Sequence, residues 1–498
     1  MISLRPYQQD AVDALRASYR AGHRAPLLVS PTASGKTYMF CYITQGAAAK
    51  GNRVCILVHR QELLTQTSAS LDAIGVDHGR ICAGRGIRAG EQVQVASVQT
   101  LVRRLGKVPP PDLIIVDEAH HSVAGAWGKV LAAFPQAAVL GVTATPERLD
   151  GRGLGKHCGG VFDDLVHGPS VADLIPQGFL SRPVYYAPPA DTLDLTGVHM
   201  QGGDFKRKES AAAVGASKIV GDAVAHYRRI CPGAPAIAFC VSVAEANRTA
   251  EQFRAAGFNS ATLDGSLTDG ERAARIRALG NGGLHVLTSC EIVSEGFDLP
   301  VVTAAILLRP TASLSLHLQQ VGRVLRTQAA PGYDMSTREG RLAAIAAGPK
   351  PCSYIIDHVG NLLRLGLAED AREWSLDGRK KRKREGEAGA LPNKQCPRCF
   401  AVHAPAPKCP QCGHQYDPEA RQLEQVEGEL QEIDAAALAV QRAKRREVAT
   451  AKTIDDLLQV AAARGYKPSW AEHVFNARAA KAGQAGAGRM LPAPLGAA

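Results

Sequence analysis

The chain has 498 residues, 45% of them hydrophobic and 21% charged, and a formal net charge of +11 at pH 7. That length is too great for one ordinary core and predicts two large domains with appendages; the composition is that of a soluble globular protein and excludes a fibrous or membrane-embedded chain. The positive balance favours a polyanionic partner, most economically nucleic acid.

At the N-terminus, MISLRPYQQDAV lacks the apolar core of a signal peptide. From residue 1 to 165 strand-like runs alternate with helical ones, at Leu27–Val29, Val54–Val58, Val93–Ala96, Leu113–Val116 and Val139–Val142. The helical stretches between them, such as Gln61–Ala73, are long enough for crossovers in a mainly parallel sheet. Ligands of such sheets gather at the carboxyl ends of the strands. The first strand leads into Ser30-Pro31-Thr32-Ala33-Ser34-Gly35-Lys36-Thr37 and then a helix, the strand–loop–helix context of a phosphate-binding loop. Its backbone N–H groups would cradle phosphates, Lys36 would reach the β/γ-phosphates and the Thr37 hydroxyl would ligate Mg²⁺. Leu113-Ile-Ile-Val116 runs straight into Asp117-Glu118-Ala119-His120. Paired carboxylates at a strand end suit such a loop: Asp117 for Mg²⁺ through water, Glu118 to polarise the attacking water. His120 is expected to couple the nucleotide to neighbouring segments; His121 is expected to be a bystander.

Asp-Glu-Ala-His after a phosphate loop resembles the DEAH-box signature of superfamily 2 helicases. Thr143-Ala144-Thr145-Pro146 resembles that superfamily's third motif, which implies that Thr143 and Thr145 link ATP hydrolysis to strand movement. Leu4-Arg5-Pro6-Tyr7-Gln8 resembles the N-terminal element whose glutamine reads adenine, which puts Arg5 and Gln8 at the base. Val58-His59-Arg60-Gln61-Glu62-Leu63 and Ala96-Ser97-Val98-Gln99-Thr100 resemble segments that grip the nucleic-acid backbone, through His59, Arg60, Gln99 and Thr100. Ala33 departs from the pattern, because these helicases usually carry Gly there. If the position needs φ > 0, Ala costs roughly 1 kcal/mol.

After a connector over 166–215, a second alternating pattern spans 216–368, with strands expected at Ala236–Cys240, Ala261–Leu263, His285–Leu287, Ala304–Leu308 and Tyr354–Ile356. It holds no phosphate loop but offers Gln319-Gln320-Val321-Gly322-Arg323-Val324-Leu325-Arg326. On a helix, Gln319, Arg323 and Arg326 share a face, and arginines facing a cleft stabilise charge developing on a γ-phosphate. The string resembles the sixth superfamily 2 motif, Thr288 with Glu295-Gly296-Phe297-Asp298 the fifth, and Ala238–Ala244 the fourth. The resemblance spans roughly 1–365. It implies two tandem RecA-like α/β domains with ATP between them, Thr288 on nucleic acid, and Gly296 and Asp298 at the nucleotide.

Residues 369–394 read as a basic linker carrying the cationic block Arg379–Arg384, either a salt-sensitive phosphate contact or a solubilising disordered linker. Cys396-Pro-Arg-Cys399 and Cys409-Pro-Gln-Cys412 within 395–416 have the spacing of a structural Zn²⁺ ribbon with no open position; the other eight cysteines are scattered, which suits a reducing cytoplasm. His403 and His414 are expected to be bystanders. A helical tail over 417–480 includes Gln422–Arg446 and an RGYKPSW patch whose Tyr466 and Trp470 either stack on bases or pack in a small helical cap; 481–498 reads as disordered. Core plus ribbon resembles phage-encoded DEAD/DEAH-box helicases and the bacterial DNA-repair helicase RadD. The resemblance implies an ATP-dependent DNA helicase or translocase using ATP, Mg²⁺ and structural Zn²⁺, in repair, recombination or phage replication. The alternatives are an RNA helicase, a restriction-system motor subunit or a non-catalytic, nucleotide-gated clamp, with a protein partner at the ribbon or tail left open.

Overall fold

The computed structural model describes residues 4–122, 125–148, 150–188, 193, 195, 197–216, 223–290, 299–378, 393–416, 453–463 and 471–472. Gly296, Asp298, the Arg379–Arg384 block, Gln422–Arg446, Tyr466, Trp470 and the 481–498 stretch lie outside them. The chain divides into two compact units, Met1–Asp417 and Pro418–Ala498. No helix among the described residues is long and apolar enough to cross a membrane.

The first sheet comprises β1 (Pro26–Val29), β2 (Val54–Val58), β3 (His78–Ile81), β4 (Val93–Ser97), β5 (Leu113–Asp117), β6 (Ala138–Thr143) and β7 (Asp164–His167). Their order is β3-β4-β2-β5-β6-β1-β7, every pairing parallel. β1 and β2 are buried at every position, because helices cover both faces of a parallel sheet and favour uninterrupted apolar runs such as VCILV. Parallel order also brings the ends of β1, β2, β4, β5 and β6, with the segments singled out above, to one edge.

The connector then enters the second sheet. β8 (Pro183–Tyr186) pairs in parallel with the last strand of the second domain, although it falls within 166–215. A four-residue run that starts with proline is a weak strand signal, and proline is tolerated at a strand's first residue. A small hairpin follows, β9 (Met200–Gln201) and β10 (Asp204–Phe205). Next come β11 (Ala236–Phe239), β12 (Ser260–Leu263), β13 (Val286–Ser289), β14 (Ala304–Leu307) and β15 (Ser353–Asp357). The last two strands, β16 (Lys394–Gln395) and β17 (Ala401–His403), belong to the cysteine ribbon. The order is β12-β13-β11-β14-β15-β8-β17-β16, with β17 antiparallel to β8. The ribbon therefore covers a sheet edge that would otherwise present unpaired backbone groups.

The start of the expected linker is structured. Beyond the Asn361–Leu365 helix the chain runs back onto the first domain as a strap. The Leu376 carbonyl accepts hydrogen bonds from Leu154 N (2.9 Å) and Gly155 N (3.0 Å), and Asp377 Oδ1 lies 2.6 Å from His157 Nε2. Trp374 and Leu376 pack on the core beneath β1, β2 and β5. Gly153 is required there, since a Cβ would sit 2.4 Å from the Leu376 carbonyl oxygen.

In the second unit the Ile454–Ala463 helix buries Leu457, Val460 and Ala461 against Ala471. Thr453 Oγ1 accepts from Asp456 N (3.1 Å) and the Asp456 carboxylate from Thr453 N (3.0 Å), a reciprocal cap on the helix start.

Candidate nucleotide site and domain interface

The loop after β1 turns back through residues of positive φ and delivers a helix, Lys36–Ala48, whose N-cap Gly35 is left-handed at φ 84°. Ser30 N donates to Thr143 O (3.0 Å), tying the loop to the end of β6. Ser30 Oγ donates to Ser34 Oγ at 2.7 Å. Lys36 Nζ donates to Ser30 O (3.1 Å) and Pro31 O (3.2 Å), so the ammonium lies over the loop's own carbonyls. Ala33 has φ +70°, in the left-handed region. Its methyl is packed against the core of the second domain.

Gln8 is fastened to this loop. Its Nε2 donates to Ser34 O (3.0 Å) and its Oε1 accepts from Arg5 N (3.0 Å). A Cβ on Gly35 would stand 2.4 Å from Gln8 Nε2, so glycine is needed there for close approach as well as for its dihedral. Tyr7, which sequence reasoning passed over, donates its hydroxyl to the same Ser34 carbonyl at 2.9 Å. Its ring packs on Phe179 at 4.9 Å, and Arg5 lies 5.2 Å from the same Phe179 ring.

Asp117 closes β5, buried, with Oδ1 accepting from Glu118 N at 3.0 Å. Glu118 is left-handed, φ 49° and ψ 54°, a conformation that costs about 1–2 kcal/mol for a residue with a Cβ and collects at functional sites. Its Oε2 stands 3.5 Å from His120 Nδ1. From there a buried chain of polar groups crosses the molecule. His120 Nδ1 lies 3.0 Å from Thr143 Oγ1, which donates to Thr145 O at 2.9 Å. With that hydroxyl proton committed, Nδ1–H must be the donor to Thr143. Thr145 Oγ1 then donates to Ser315 Oγ at 2.7 Å, and Ser315 belongs to the second domain.

Ser315 lies on the Leu314–Gly322 helix, the element that meets the phosphate loop. Gly322 approaches Thr32 so closely that a Cβ would fall 2.4 Å from Thr32 Cβ. The expectation that Gln319, Arg323 and Arg326 share a helical face is corrected: the helix ends at Gly322, Arg323 is its C-cap, and Arg326 lies beyond the following turn. Both arginines still reach the loop electrostatically. Burial holds the Lys36 pKa below its ordinary value; Glu118 and Asp117 work against that, while Arg323 and Arg326 reinforce it. Gln319 and Arg323 are buried. A further pair joins the domains, Arg272 Nη1 to Glu62 Oε1 at 2.7 Å.

Among residues expected on nucleic acid, His59 and Arg60 follow β2, and Gln99 is exposed at the start of the Val98–Leu101 helix beside Thr100. Gln99 Nε2 donates to His59 O (3.2 Å). His121 is not an isolated side chain: its ring lies 4.9 Å from that of His59 and 4.1 Å from that of His120. Thr288 departs from expectation. It is 0% exposed, donates to Ala246 O at 2.8 Å and bonds Thr262 Oγ1 at 3.0 Å. Its hydroxyl is spent between its strand and the Val243–Ala255 helix.

The four ribbon cysteines bring all their sulfurs within 4.8 Å of one another, with Cys396–Cys412 at 3.6 Å and Cys399–Cys409 at 3.7 Å. Tetrahedral Zn²⁺ with Zn–S of about 2.3 Å gives sulfur–sulfur edges of about 3.8 Å, so the set fits the ion. Burial pushes the Cys396 thiol up, but backbone amides of Cys399 and Arg398 and the neighbouring thiols outweigh it and bring it down to about 6. The two knuckles repeat one geometry: Phe400 N donates to Cys396 O at 2.8 Å and Gly413 N to Cys409 O at 2.9 Å. Phe400 and Gly413 both take positive φ, 61° and 70°. His403 lies 2.7 Å from Tyr416 Oη through Nε2.

A strand–loop–helix turn on one parallel-sheet domain, met by a helix and a polar relay from a second, is the frame of a tandem RecA-like, nucleic-acid-dependent ATPase. The chain belongs to the superfamily 2 helicases. Residues 1–148 match the family described as "Type III restriction enzyme, res subunit", and residues 222–328 match "Helicase conserved C-terminal domain". The chain is 32% identical over 410 residues to a 51.5 kDa protein of a Lactococcus phage (isolate 7-9), covering 82% of each. It is also 32% identical over 344 residues to "Putative ATP-dependent helicase IRC3" of Saccharomyces cerevisiae, 65% of this chain and 49% of that one, so it spans about half the yeast protein. Among solved structures, a fragment of "a putative HsdR subunit of a type I restriction enzyme" from Vibrio vulnificus YJ016 superposes with a TM-score of 0.53 at 21% identity, over 73% of this chain and 67% of that one.

Proposed function

We propose that the protein is an ATP-dependent DNA helicase or translocase. The observation that carries the reading is the contact of the second domain's Leu314–Gly322 helix with the phosphate loop, which brings Arg323 and Arg326 within electrostatic reach of Lys36. In this reading the loop from Pro31 to Gly35 and the start of the Lys36–Ala48 helix take the triphosphate, Lys36 leaving its carbonyl partners for the β/γ-phosphates. Thr37 and Asp117 would hold Mg²⁺, which screens phosphate charge when bound. Glu118 orients the attacking water, and Arg323 and Arg326, assisted by Gln319, meet the charge that develops on the γ-phosphate. Arg5 and Gln8 face the base. Loss of that charge is felt through Glu118, His120, Thr143 and Thr145 at Ser315, so hydrolysis alters the seating of the second domain. Zn²⁺, when bound, cross-links the two ribbon knuckles.

DNA is favoured over RNA by the match of residues 1–148 to a restriction-enzyme subunit family; the +11 charge supports nucleic acid in general. The same match favours one second reading, the motor subunit of a restriction system. The test is ATP turnover by the purified chain with single-stranded, duplex and forked DNA and matched RNA, beside Lys36→Ala. Stimulation by DNA that is lost in Lys36→Ala is expected. Stimulation by RNA alone overturns the DNA assignment, and equal turnover in both proteins overturns the motor.

A further inference from the structure

A cleft of about 730 Å³ opens between the two domains, and its lining includes no residue of the phosphate loop. Arg60 and His121 line it from the first domain, Ser315 and Gln319 from the closing helix. The lining also includes His120, Glu147 and Arg309, and a large share of it is the β9–β10 hairpin with the Lys206-Arg207-Lys208 run after it, which no part of the nucleotide chemistry uses.

The hairpin is built to stay put. Gly202 and Gly203 have φ +60° and +85°, the two positive values that a two-residue type I′ turn requires. A lone two-stranded hairpin is marginal in water, so its fixation must come from outside. Asp204 supplies it. Oδ1 accepts from Thr311 Oγ1 and Ala312 N, both at 2.8 Å, and Oδ2 from Arg309 Nη2 at 3.0 Å. Those partners lie in the segment that leads directly into the Leu314–Gly322 helix. At the other end, Glu209 accepts from His199 N (2.8 Å) and Lys206 Nζ (2.7 Å), closing the base. Arg207 and Lys208 are exposed and carry the cationic run outward.

The cleft's lining holds five cations, Arg60, Lys206, Arg207, Lys208 and Arg309, against two carboxylates, Glu147 and Asp204. Asp204 is already answered by Arg309, and Lys206 is answered by Glu209 from outside the lining. The surplus suits a phosphodiester backbone, whose contacts fix register without reading sequence. We propose that the Met200–Phe205 hairpin with the Lys206–Lys208 run is a phosphate-gripping wall for a single strand, fixed to the helix that closes on the nucleotide. The inference rests on the motor reading above and adds the element through which that helix moves the strand: a shift at Ser315 is carried through the Arg309–Ala312 segment to Asp204, and so to the bound backbone.

The test is binding of a labelled oligo-dT strand to the full chain without nucleotide, by anisotropy at several salt concentrations. Arg207→Ala/Lys208→Ala should weaken binding roughly tenfold and flatten the log–log salt slope by about 1.4, two contacts at about 0.7 each. The charge-keeping pair Arg207→Lys/Lys208→Arg should bind like wild type. Unchanged affinity and slope in the alanine pair overturn the proposal, as does equal loss in the charge-keeping pair. Failure of the motor reading shows separately, as turnover that no nucleic acid stimulates.

Discussion

Replacing Gly322 by alanine puts a methyl group where the second domain meets the phosphate loop. That Cβ would lie 2.4 Å from Thr32 Cβ, 2.8 Å from Cγ2 and 3.1 Å from Oγ1. Carbon atoms rest about 3.5–4.0 Å apart, so helix and loop must separate by about 1 Å or more. Gly322 is the last residue of its helix, and alanine is the better helix former by up to about 1 kcal/mol. Domain stability should therefore hold or rise. Catalysis should not: a misplacement of about 1 Å costs on the order of 10²-fold, close to 2.7 kcal/mol of barrier. Gly322→Ala should thus raise or keep the unfolding midpoint, leave affinity for a fluorescent ATP analogue within about threefold, and lower DNA-stimulated kcat about a hundredfold. Thr32→Gly in the same chain removes the opposing Cβ and should recover at least tenfold of that loss. A folded Gly322→Ala protein with kcat near wild type would refute the claim that this contact assembles the site.

Ala33→Gly should be close to neutral by urea melts. Relief of the left-handed strain, about 1–2 kcal/mol, is offset by about 0.4–1 kcal/mol of unfolded-chain entropy and about 0.8 kcal/mol for the methyl buried against the second domain. A change beyond about 1 kcal/mol either way refutes that balance. Cys409→Ser should abolish stoichiometric zinc and, because β17 covers the edge of β8, lower the thermal midpoint and raise light scattering; zinc retained at one equivalent refutes the four-thiolate site. Lys350 is 0% exposed, its ammonium held by Pro300 O and Val302 O, and burial with the nearby Arg326 brings its pKa from 10.5 to about 7. Between those values the unfolded chain binds more protons, so wild-type stability gains from rising pH by up to about 1.4 kcal/mol per unit. Against Lys350→Met, which lacks that gain, the difference should move in wild type's favour by roughly 2 kcal/mol from pH 7.5 to 9; parallel pH dependence refutes it.

The strand–loop–helix turn after β1, the placement of Asp117 and Glu118 at the end of β5 and the gathering of the four cysteines were legible because each is written in a few residues beside a strand. The parallel order that gathers them on one edge followed from apolar runs separated by crossover helices. What escaped was set by packing between distant segments. Tyr185 and Val184 give no hint that Pro183–Tyr186 joins a sheet whose other parallel strands begin fifty residues later. Ser315 looks like any helix-start serine until Thr145 reaches it. Arg326 lies outside the helix because the chain turns immediately after Gly322, and a motif resemblance at Thr288 carries no sign that its strand is buried at every position.

Traced along its length, the polypeptide leaves the first lobe after β7, builds the second, returns to the first through Trp374 and Leu376, and rejoins the second at the ribbon. The lobes are thus laced by three covalent crossings. Severing any one leaves two stitches, so a protease-nicked protein should keep both halves together.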